Sequence, residues 1–290
     1  MPNLRDIKRR ITSVEKTQQI TSAMRMVAAA KLRRAQESIE AARPYADRMR
    51  STLGEVAASQ TEAAHPLLKK RDEVRTVEFV VVTSDRGLAG AFNANVLKKA
   101  AALIAEREKS GVKIEVTAVG RKAIEYFRRH RRSQLVETEG LDGWVSYDDA
   151  ARIGRRIIHR FIAEEVDEAV LVYSEFVSML NQLPVDHTLL PMAPPDVPSE
   201  ENEGLPPHEI EPDAEKLLSL LAPTAVEVAL YRALLENQAG EHAARMTAME
   251  NATRNTEELI ERLTLDFNRA RQAAITRELV EIVTGAQALE

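Results

Sequence analysis

A glycine-bearing turn is the part of this sequence whose residue types and spacing come nearest to a ligand-binding site. The turn, Thr83–Gly90, follows an apolar, β-branched stretch. A strand that enters a glycine turn before a helix is where α/β proteins bind phosphate groups. Its glycines are spaced Gly-x-x-Gly, so the dinucleotide fingerprint and the P-loop are both absent. We therefore interpret it as a structural turn, and a nucleotide-dependent enzyme that uses Gly87–Gly90 remains an alternative.

Other side chains with reactive groups lack the spacing that their chemistry needs. The histidines have no partner four residues along the chain and no HExxH context, so they predict no metal site. The adjacent Asp148 and Asp149 fit the negative charge of a helix N-terminus better than a general acid–base pair. No serine lies in a nucleophile elbow, and cysteine is absent. The residues alone therefore favour a protein that is not an enzyme and has no cofactor or metal.

An α/β middle region must position these residues. Alternating patterns of buried strands and helices predict a small, parallel, Rossmann-like sheet, with Asn93 as the N-cap of the helix after the first strand. The predicted strands cover residues 76–83, 112–119, 135–136, 169–174 and 185–190. The predicted organisation is an N-terminal coiled-coil helix at 1–60, the α/β domain at 75–195, an acidic, proline-rich loop at 196–212 and a C-terminal coiled-coil helix at 213–290.

The two ends of the chain are predicted to be unusually long helices. Asn3–Arg43 contains neither proline nor glycine, and after Thr224 only Gly240 and Gly285 interrupt a proline-free run. Helices of about 50 and 70 residues would reach about 75 and 105 Å, which no single-domain core can cover. We therefore predict that they pair as an antiparallel coiled coil, with the C-terminal tip extending beyond its partner.

Apolar residues at three- and four-residue spacing mark the seam of each helix. In the first helix the predicted seam is Leu4, Ile7, Ile11, Val14, Thr17, Gln18, Thr21, Met24, Val27, Ala28, Leu32, Ala35 and Ile39. In the last helix it includes Leu230, Leu234, Ala244, Ala248, Leu259, Leu263, Phe267, Ala270, Ala274, Leu279 and Ile282.

The chain has a net charge of −5, but its charged residues are distributed unevenly along the sequence. The first helix is basic, whereas residues 196–215 carry acidic side chains without any lysine or arginine. This contrast indicates a basic shaft that meets an acidic partner surface. A basic coiled-coil module that binds nucleic acid is the alternative, although aromatic residues do not alternate with the basic ones. No apolar run approaches the ~20 residues that span a bilayer, and no secretory signal is evident, so any membrane contact is expected to be indirect.

Four segments resemble one known family. Residues 20–36 (ITSAMRMVAAAKLRRAQ), the turn 83–90 (TSDRGLAG), residues 241–249 (EHAARMTAM) and residues 268–279 (NRARQAAITREL) are similar to gamma subunits of the bacterial type of F-type ATP synthase. The resemblance extends over the whole chain in the same order. It is weakest at residues 128–147 and 196–212.

The resemblance implies a function in ATP synthesis without a catalytic group, cofactor or metal. In this family the coiled coil stands inside a ring of three alpha and three beta subunits. The α/β domain rests with the epsilon subunit on the c-ring, which ion flow rotates in the membrane. The chain is thus expected to be a rotor shaft at the cytoplasmic face of the cell membrane, in preference to the mitochondrial inner membrane.

The resemblance also implies partner contacts at particular residues. Met24, with the basic Lys31 and Arg33, corresponds to the place where the shaft passes loops of the beta subunits. Arg271 and Gln272 match positions that meet a catch loop of a beta subunit. The further contact candidates on the same helix are Thr276, Glu278 and Glu281.

Overall fold

The computed structural model describes residues 4–58, 65–141, 143–192 and 213–287. The predicted acidic loop at 196–212 therefore lies outside the described residues. The chain forms two compact units, the first made of Met1–Ala29 with Arg245–Glu290 and the second of Ala30–Ala244. In chain order the elements are α1 (Leu4–Ala58), a 3₁₀ turn (Pro66–Leu68), β1 (Thr76–Val82), α2 (Phe92–Lys109), β2 (Lys113–Val119), α3 (Arg121–His130), β3 (Leu135–Glu139), α4 (Tyr147–Ile162), β4 (Glu168–Phe176), β5 (Gln182–Leu190) and α5 (Ala214–Gln287).

The two terminal helices have the lengths that the sequence predicts. α1 has 55 residues and continues through Pro44, and α5 has 74 residues and continues through Pro223. The start of α5 is fixed by Asp213, whose Oδ1 accepts a hydrogen bond from the Lys216 amide at 2.7 Å. This is the N-cap interaction expected of an aspartate, because it satisfies an amide that has no partner inside the helix.

The sheet of the second unit is mixed, which corrects the prediction of a parallel sheet. Its strand order is β3-β2-β1-β4-β5, and β5 pairs with β4 in the antiparallel direction. The cause is the short connection at residues 177–181, since a parallel return needs a crossover of about a dozen residues or more. The four remaining strands are parallel, as predicted.

Side chains of β1 alternate between two hydrophobic cores, one on each face of the sheet. Val80 and Val82 belong to a cluster that contains residues of α4 and α5. Phe79 and Val81 belong to a second cluster that contains residues of α2 and α3. Because both faces are covered, β1 is apolar along nearly its whole length.

In the first unit, α1 and α5 pack as a pair of helices. The hydroxyl groups of Thr21 and Thr253 are hydrogen-bonded at 2.8 Å, and Ile7 and Leu263 are buried. Two predicted seam residues of α1 are wrong, because Thr17 and Val27 are exposed. The adjacent residues Gln18 and Ala28, which were also predicted in the seam, are half-buried and buried, respectively.

α5 contains a more apolar stretch than the sequence analysis predicts, since no run long enough to span a bilayer was expected. By length and composition, one stretch within Glu215–Thr284 is apolar enough to cross a membrane, with a mean hydropathy of 1.4. Half of that stretch is buried inside the fold, as in the core helix of a soluble protein. This single helix is therefore weak evidence for a membrane span.

Candidate functional site

Two polar groups at the start of the turn Thr83–Gly90 are hydrogen-bonded within the fold itself. The Ser84 amide donates a hydrogen bond to Asn93 Oδ1 at 2.9 Å. Asp85 Oδ1 accepts one from the Arg121 amide at 2.7 Å, at the N-terminus of α3. The Ser84 amide and the Asp85 carboxylate therefore already have partners within the fold, which supports the interpretation of a structural turn.

The predicted N-cap role of Asn93 is wrong. α2 begins at Phe92, and Ala91 occupies the N-cap position without a side-chain hydrogen bond. The Asn93 side chain instead holds the preceding turn, because its amide also donates to the Ser84 hydroxyl at 2.9 Å. The asparagine therefore stabilises the entry to the helix from inside its first turn.

Helix α5 covers the crevice in which an α/β enzyme would bind its ligand. The strand order reverses between β1 and β4, and the carboxyl ends of these strands form the usual ligand crevice. Here the Nδ2 atom of the buried Asn237 lies 3.4 Å from the Thr83 carbonyl oxygen. A Cβ atom on Gly240 would lie only 2.9 Å from the Phe92 ring. The chain's own helix fills this space, which disfavours the alternative of a nucleotide-dependent enzyme.

The acidic pair after the third strand has the helix-terminal role that the sequence predicts. Ser146 and Asp149 form a capping box at the start of α4, in which each side chain binds the other residue's amide. Among the residues that the structure describes, no group of three or more His, Asp or Glu side chains could hold a metal ion.

The predicted contact residues of α1 differ in their exposure. Met24 is half-buried in the first unit. In the second unit Lys31 is half-buried and Arg33 is exposed, with its Nε atom 3.2 Å from Glu37. An exposed pair of this spacing contributes only about 0.3–0.5 kcal/mol, so Arg33 can exchange Glu37 for another partner at little cost.

The neighbouring Arg34 is held by an interaction that sequence reasoning missed. Its guanidinium carbon lies 4.3 Å from the ring centre of Trp144, the single tryptophan of the chain. The Trp144 ring also contacts His242 of α5, at a centroid distance of 5.9 Å. The segment before α4 is thus attached to both terminal helices within the second unit. The sequence signal for this interaction was the single tryptophan, which lies beside a glycine in a polar stretch.

A buried ionic network lies beneath α4, and no sequence motif predicts it. Arg160 Nη1 lies 2.6 Å from Glu78, which is fully buried, and Arg160 Nη2 pairs with Glu115. Thr117 donates a hydrogen bond to Glu78 at 2.5 Å. Burial alone would raise the pKa of Glu115, but hydrogen bonds and charge from Lys113 and Arg160 outweigh it and hold that pKa below its usual value.

The C-terminal part of α5 is exposed along its whole circumference. All side chains from 275 to 284 are exposed, including Leu279 at 57% and Ile282 at 68%. The five partner-contact candidates lie on or next to this segment and are all exposed, namely Arg271, Gln272, Thr276, Glu278 and Glu281. Within the described part of the chain, no side-chain ion pair or hydrogen bond occupies Arg271. Leu279 and Ile282 therefore continue the apolar pattern of the α5 seam without being buried in the described part of the chain.

We expect the isolated chain to self-associate, because exposed apolar side chains of this extent drive association. Replacing Leu279 and Ile282 with serine should shift the chain toward the monomer in sedimentation velocity. The matched control makes the same serine replacements at Val177 and Leu180, which are 54% and 86% exposed in the turn before β5. It should leave the sedimentation distribution unchanged. A purely monomeric wild-type chain would contradict this expectation.

The comparisons with known proteins agree along the full length of the chain. The family model described as ATP synthase matches residues 3–289. The ATP synthase gamma chain of Desulforamulus reducens is 50% identical over 291 residues, and that of Pelotomaculum thermopropionicum is 47% identical over 291 residues. Both alignments cover 100% of this chain and 100% of the relative.

Solved structures share the fold at much lower identity. A chain of the Euglena gracilis mitochondrial ATP synthase, in an OSCP/F1/c-ring structure, matches with a TM-score of 0.66 at 19% identity, covering 99% of this chain and 94% of that one. A chain of the Tetrahymena thermophila central stalk and c-ring matches with a TM-score of 0.59 at 24% identity, covering 80% and 99%. The fold is thus the one found in the central stalk of ATP synthases. With relatives this similar, the chain belongs to the ATP synthase gamma chain family.

Proposed function

We propose that this chain is the rotor shaft that couples rotation of an ion-driven c-ring to conformational changes at the catalytic sites of the beta subunits. A shaft acts by having different contacts with sites that are otherwise equivalent, and those differences bias the population of each site's states. The proposed partners are the ring of alpha and beta subunits, the epsilon subunit and the c-ring.

The observation that carries this proposal is the exposed apolar end of α5. A tip with Leu279 at 57% and Ile282 at 68% exposure would be costly in water, so it fits a helix enclosed by other subunits. The exposed polar residues among the small ones, such as Arg271 beside Ala273 and Ala274, suit a contact that changes as the shaft turns.

We also propose that the chain contributes no catalytic group to ATP synthesis. The paired Ser84 amide and the position of α5 over that turn support this view, because α5 lies where an α/β enzyme would bind its nucleotide. The high identity to bacterial gamma chains supports a peripheral position at the cytoplasmic face of the cell membrane.

Purification through an affinity tag on this chain tests the assignment of partners. We expect alpha, beta and epsilon subunits and the c-ring to be recovered with it in gentle detergent, and the preparation to hydrolyse ATP. Recovery of nucleic acid in place of these subunits, with binding that falls steeply as salt rises, would contradict the assignment.

We expect the replacements Arg271→Ala and Gln272→Ala together to lower turnover of the complex. An arginine can form a forked pair with a carboxylate, and losing such a contact in one rotational state changes the energy difference between states by about 1–3 kcal/mol. That range corresponds to an effect of about fivefold to 150-fold. ATP hydrolysis and ion-driven synthesis by the reconstituted complex measure it, with assembly checked separately.

The control for this pair is Arg262→Ala, an exposed arginine of α5 outside the segment that resembles the family signature. It should leave turnover unchanged. If the double variant had full activity in both ATP hydrolysis and ATP synthesis, Arg271 and Gln272 would not belong to the contact surface. The rotor assignment itself would be unaffected.

A further inference from the structure

A cavity lies between α1, α5 and the first residue of α4, entirely within the second unit. Its volume is about 220 Å³. Ala42 and Ala46 of α1 form part of its wall, and Leu235 of α5 forms another part. The two alanines lie four residues apart and therefore on the same side of the helix, where their small side chains leave the space open.

Three tyrosines, Tyr45, Tyr147 and Tyr231, also line the cavity. The rings of Tyr147 and Tyr231 are nearly perpendicular, with a centroid distance of 5.8 Å and an interplanar angle of 76°. The Tyr147 hydroxyl donates a hydrogen bond to Glu227 Oε2 at 2.7 Å, which fixes the position of its ring. Tyr45 and Tyr147 are 56% and 37% exposed, so the cavity opens to solvent beside them. A planar aromatic ligand packs well against such rings, by offset stacking or by edge-to-face contact.

The charged side chains of the cavity leave one positive charge without a partner. Arg232 Nε lies 2.8 Å from Oε1 of the buried Glu236, so these two charges balance. Arg43 also lines the cavity and is exposed. In the part of the chain that the structure describes, Arg43 has neither an ion pair nor a side-chain hydrogen bond. Its guanidinium group is therefore available to form a forked pair with a carboxylate.

Imperfect packing of the helices does not explain a cavity of this size and lining. Protein interiors contain few voids larger than a water molecule. An apolar cavity of about 150 Å³ is enough to hold benzene, so the larger volume here has room for two fused rings. Binding sites for small molecules are concave and mostly apolar, with a few polar groups that fix the orientation of the ligand. Apolar walls, tyrosine rings and the unpaired Arg43 match that description.

We propose that this cavity binds a small aromatic carboxylate. The aromatic rings of the ligand lie between the two alanines of α1 and Leu235, against the ring of Tyr231. The carboxylate pairs with Arg43 at the open side of the cavity. The bound molecule contacts both terminal helices within the second unit. This is a binding function beyond the rotor role, and it uses none of the residues proposed to contact other subunits.

Isothermal titration calorimetry of the full-length chain with 2-naphthoate tests the proposal. We expect saturable binding of one molecule per chain. The Arg43→Gln variant should bind 2-naphthoate about tenfold more weakly, because the charged hydrogen bonds to the carboxylate are lost. The matched control, Arg48→Gln, removes an exposed arginine of the same helix that does not line the cavity. It should bind within about twofold of wild type, because salt screens a charge outside the site.

A cavity-filling variant and a neutral probe distinguish this site from general adsorption. Ala42→Leu/Ala46→Leu fills the space with good helix formers and should bind 2-naphthoate at least about tenfold more weakly. Urea unfolding followed by Trp144 fluorescence checks that this variant is folded, and Arg43→Gln tests the site independently of it. The neutral 2-naphthalenemethanol should bind the wild type about tenfold more weakly than 2-naphthoate does, and Arg43→Gln should not weaken it further.

The exposed tip of α5 is the other apolar surface on which the probe could bind. Unchanged binding by Leu279→Ser/Ile282→Ser would support the cavity, whereas loss of binding would place the probe on the tip and overturn the proposal. The absence of saturable binding, equal affinities of wild type and the cavity-filling variant, or equal losses in the two arginine variants would each overturn it. So would binding that the isolated chain shows and the assembled complex lacks, since a neighbouring subunit would then occupy the cavity.

Discussion

Ion-driven ATP synthesis should fall by about tenfold or more when Met24 is replaced with lysine, while the complex stays assembled. A lysine at this half-buried position of α1 would place a cation where the proposed shaft passes loops of the beta subunits. A charge pair formed in only one rotational state lowers the free energy of that state. About 1.4 kcal/mol of extra stabilisation is enough for a tenfold effect on the rate. A rotor needs its angular positions to be nearly equal in energy, so the pair opposes turning.

Two variants at the same position isolate the role of the charge. Met24→Leu keeps the volume and apolar character and should support normal synthesis. Met24→Gln adds polarity without charge and should retain most of the activity. Synthesis and hydrolysis are compared in vesicles that contain the purified complex, so that a loss of coupling is distinguished from a loss of turnover. Normal synthesis by Met24→Lys would remove Met24 from the contact surface.

Replacing Arg160 with alanine should strongly destabilise the second unit. It leaves the fully buried Glu78 without its main counter-charge and leaves the buried Glu115 with Lys113 as its remaining partner. Removing one partner of a buried pair costs about 3–5 kcal/mol. We expect the lower end of this range, because Arg156 lies 4.0 Å from Glu78 and Thr117 still donates to it.

Urea unfolding followed by Trp144 fluorescence measures this change, since the single tryptophan lies in the second unit. The control is Arg152→Ala on the same helix, whose side chain is 56% exposed and pairs with Glu139 and Asp149. An exposed pair contributes at most about 1 kcal/mol, so this variant should unfold close to wild type. Equal unfolding midpoints of the two variants would show that the buried network does not stabilise the unit.

The same network predicts how stability depends on pH. The pKa of Glu115 is lower in the folded chain than its usual value, so the carboxylate favours folding above that usual value. This contribution is lost as the pH falls through the lowered pKa of the folded state. Arg160→Ala removes one cause of the shift, so the difference between wild type and variant should shrink on acidification. A difference that stays constant down to acidic pH would contradict this origin of the stability.

Local patterns in the sequence were sufficient for most of the fold. The buried strands, the face of α4 formed by Ile153, Ile157 and Phe161, and the length of α1 follow from composition and periodicity. The antiparallel direction of β5 does not follow from these patterns, because the residue pattern of an edge strand is the same in both directions. The short connection before Gln182 was the readable signal for a hairpin, and it outweighs the general expectation of a parallel sheet.

The candidate site was harder to predict, because its features depend on residues far apart in the chain. Asn237 lies over Thr83, and Arg34 lies over Trp144, only after the helices have packed on the sheet. No local spacing encodes such contacts. The positions of Met24 and Arg271 on the chain came from resemblance to a family, and the exposure of Arg271 agrees with a contact role.

Rotation of this chain inside its complex is the most direct test of the proposed function. The chain has no cysteine, so Leu180→Cys, at a position 86% exposed, provides a single attachment point for a fluorescent probe. With the alpha–beta ring fixed to a surface and ATP supplied, we expect the probe to turn in one direction with three dwell angles in each revolution. ATP hydrolysis at a normal rate, with the probe fluctuating about one fixed angle, would contradict the rotor function.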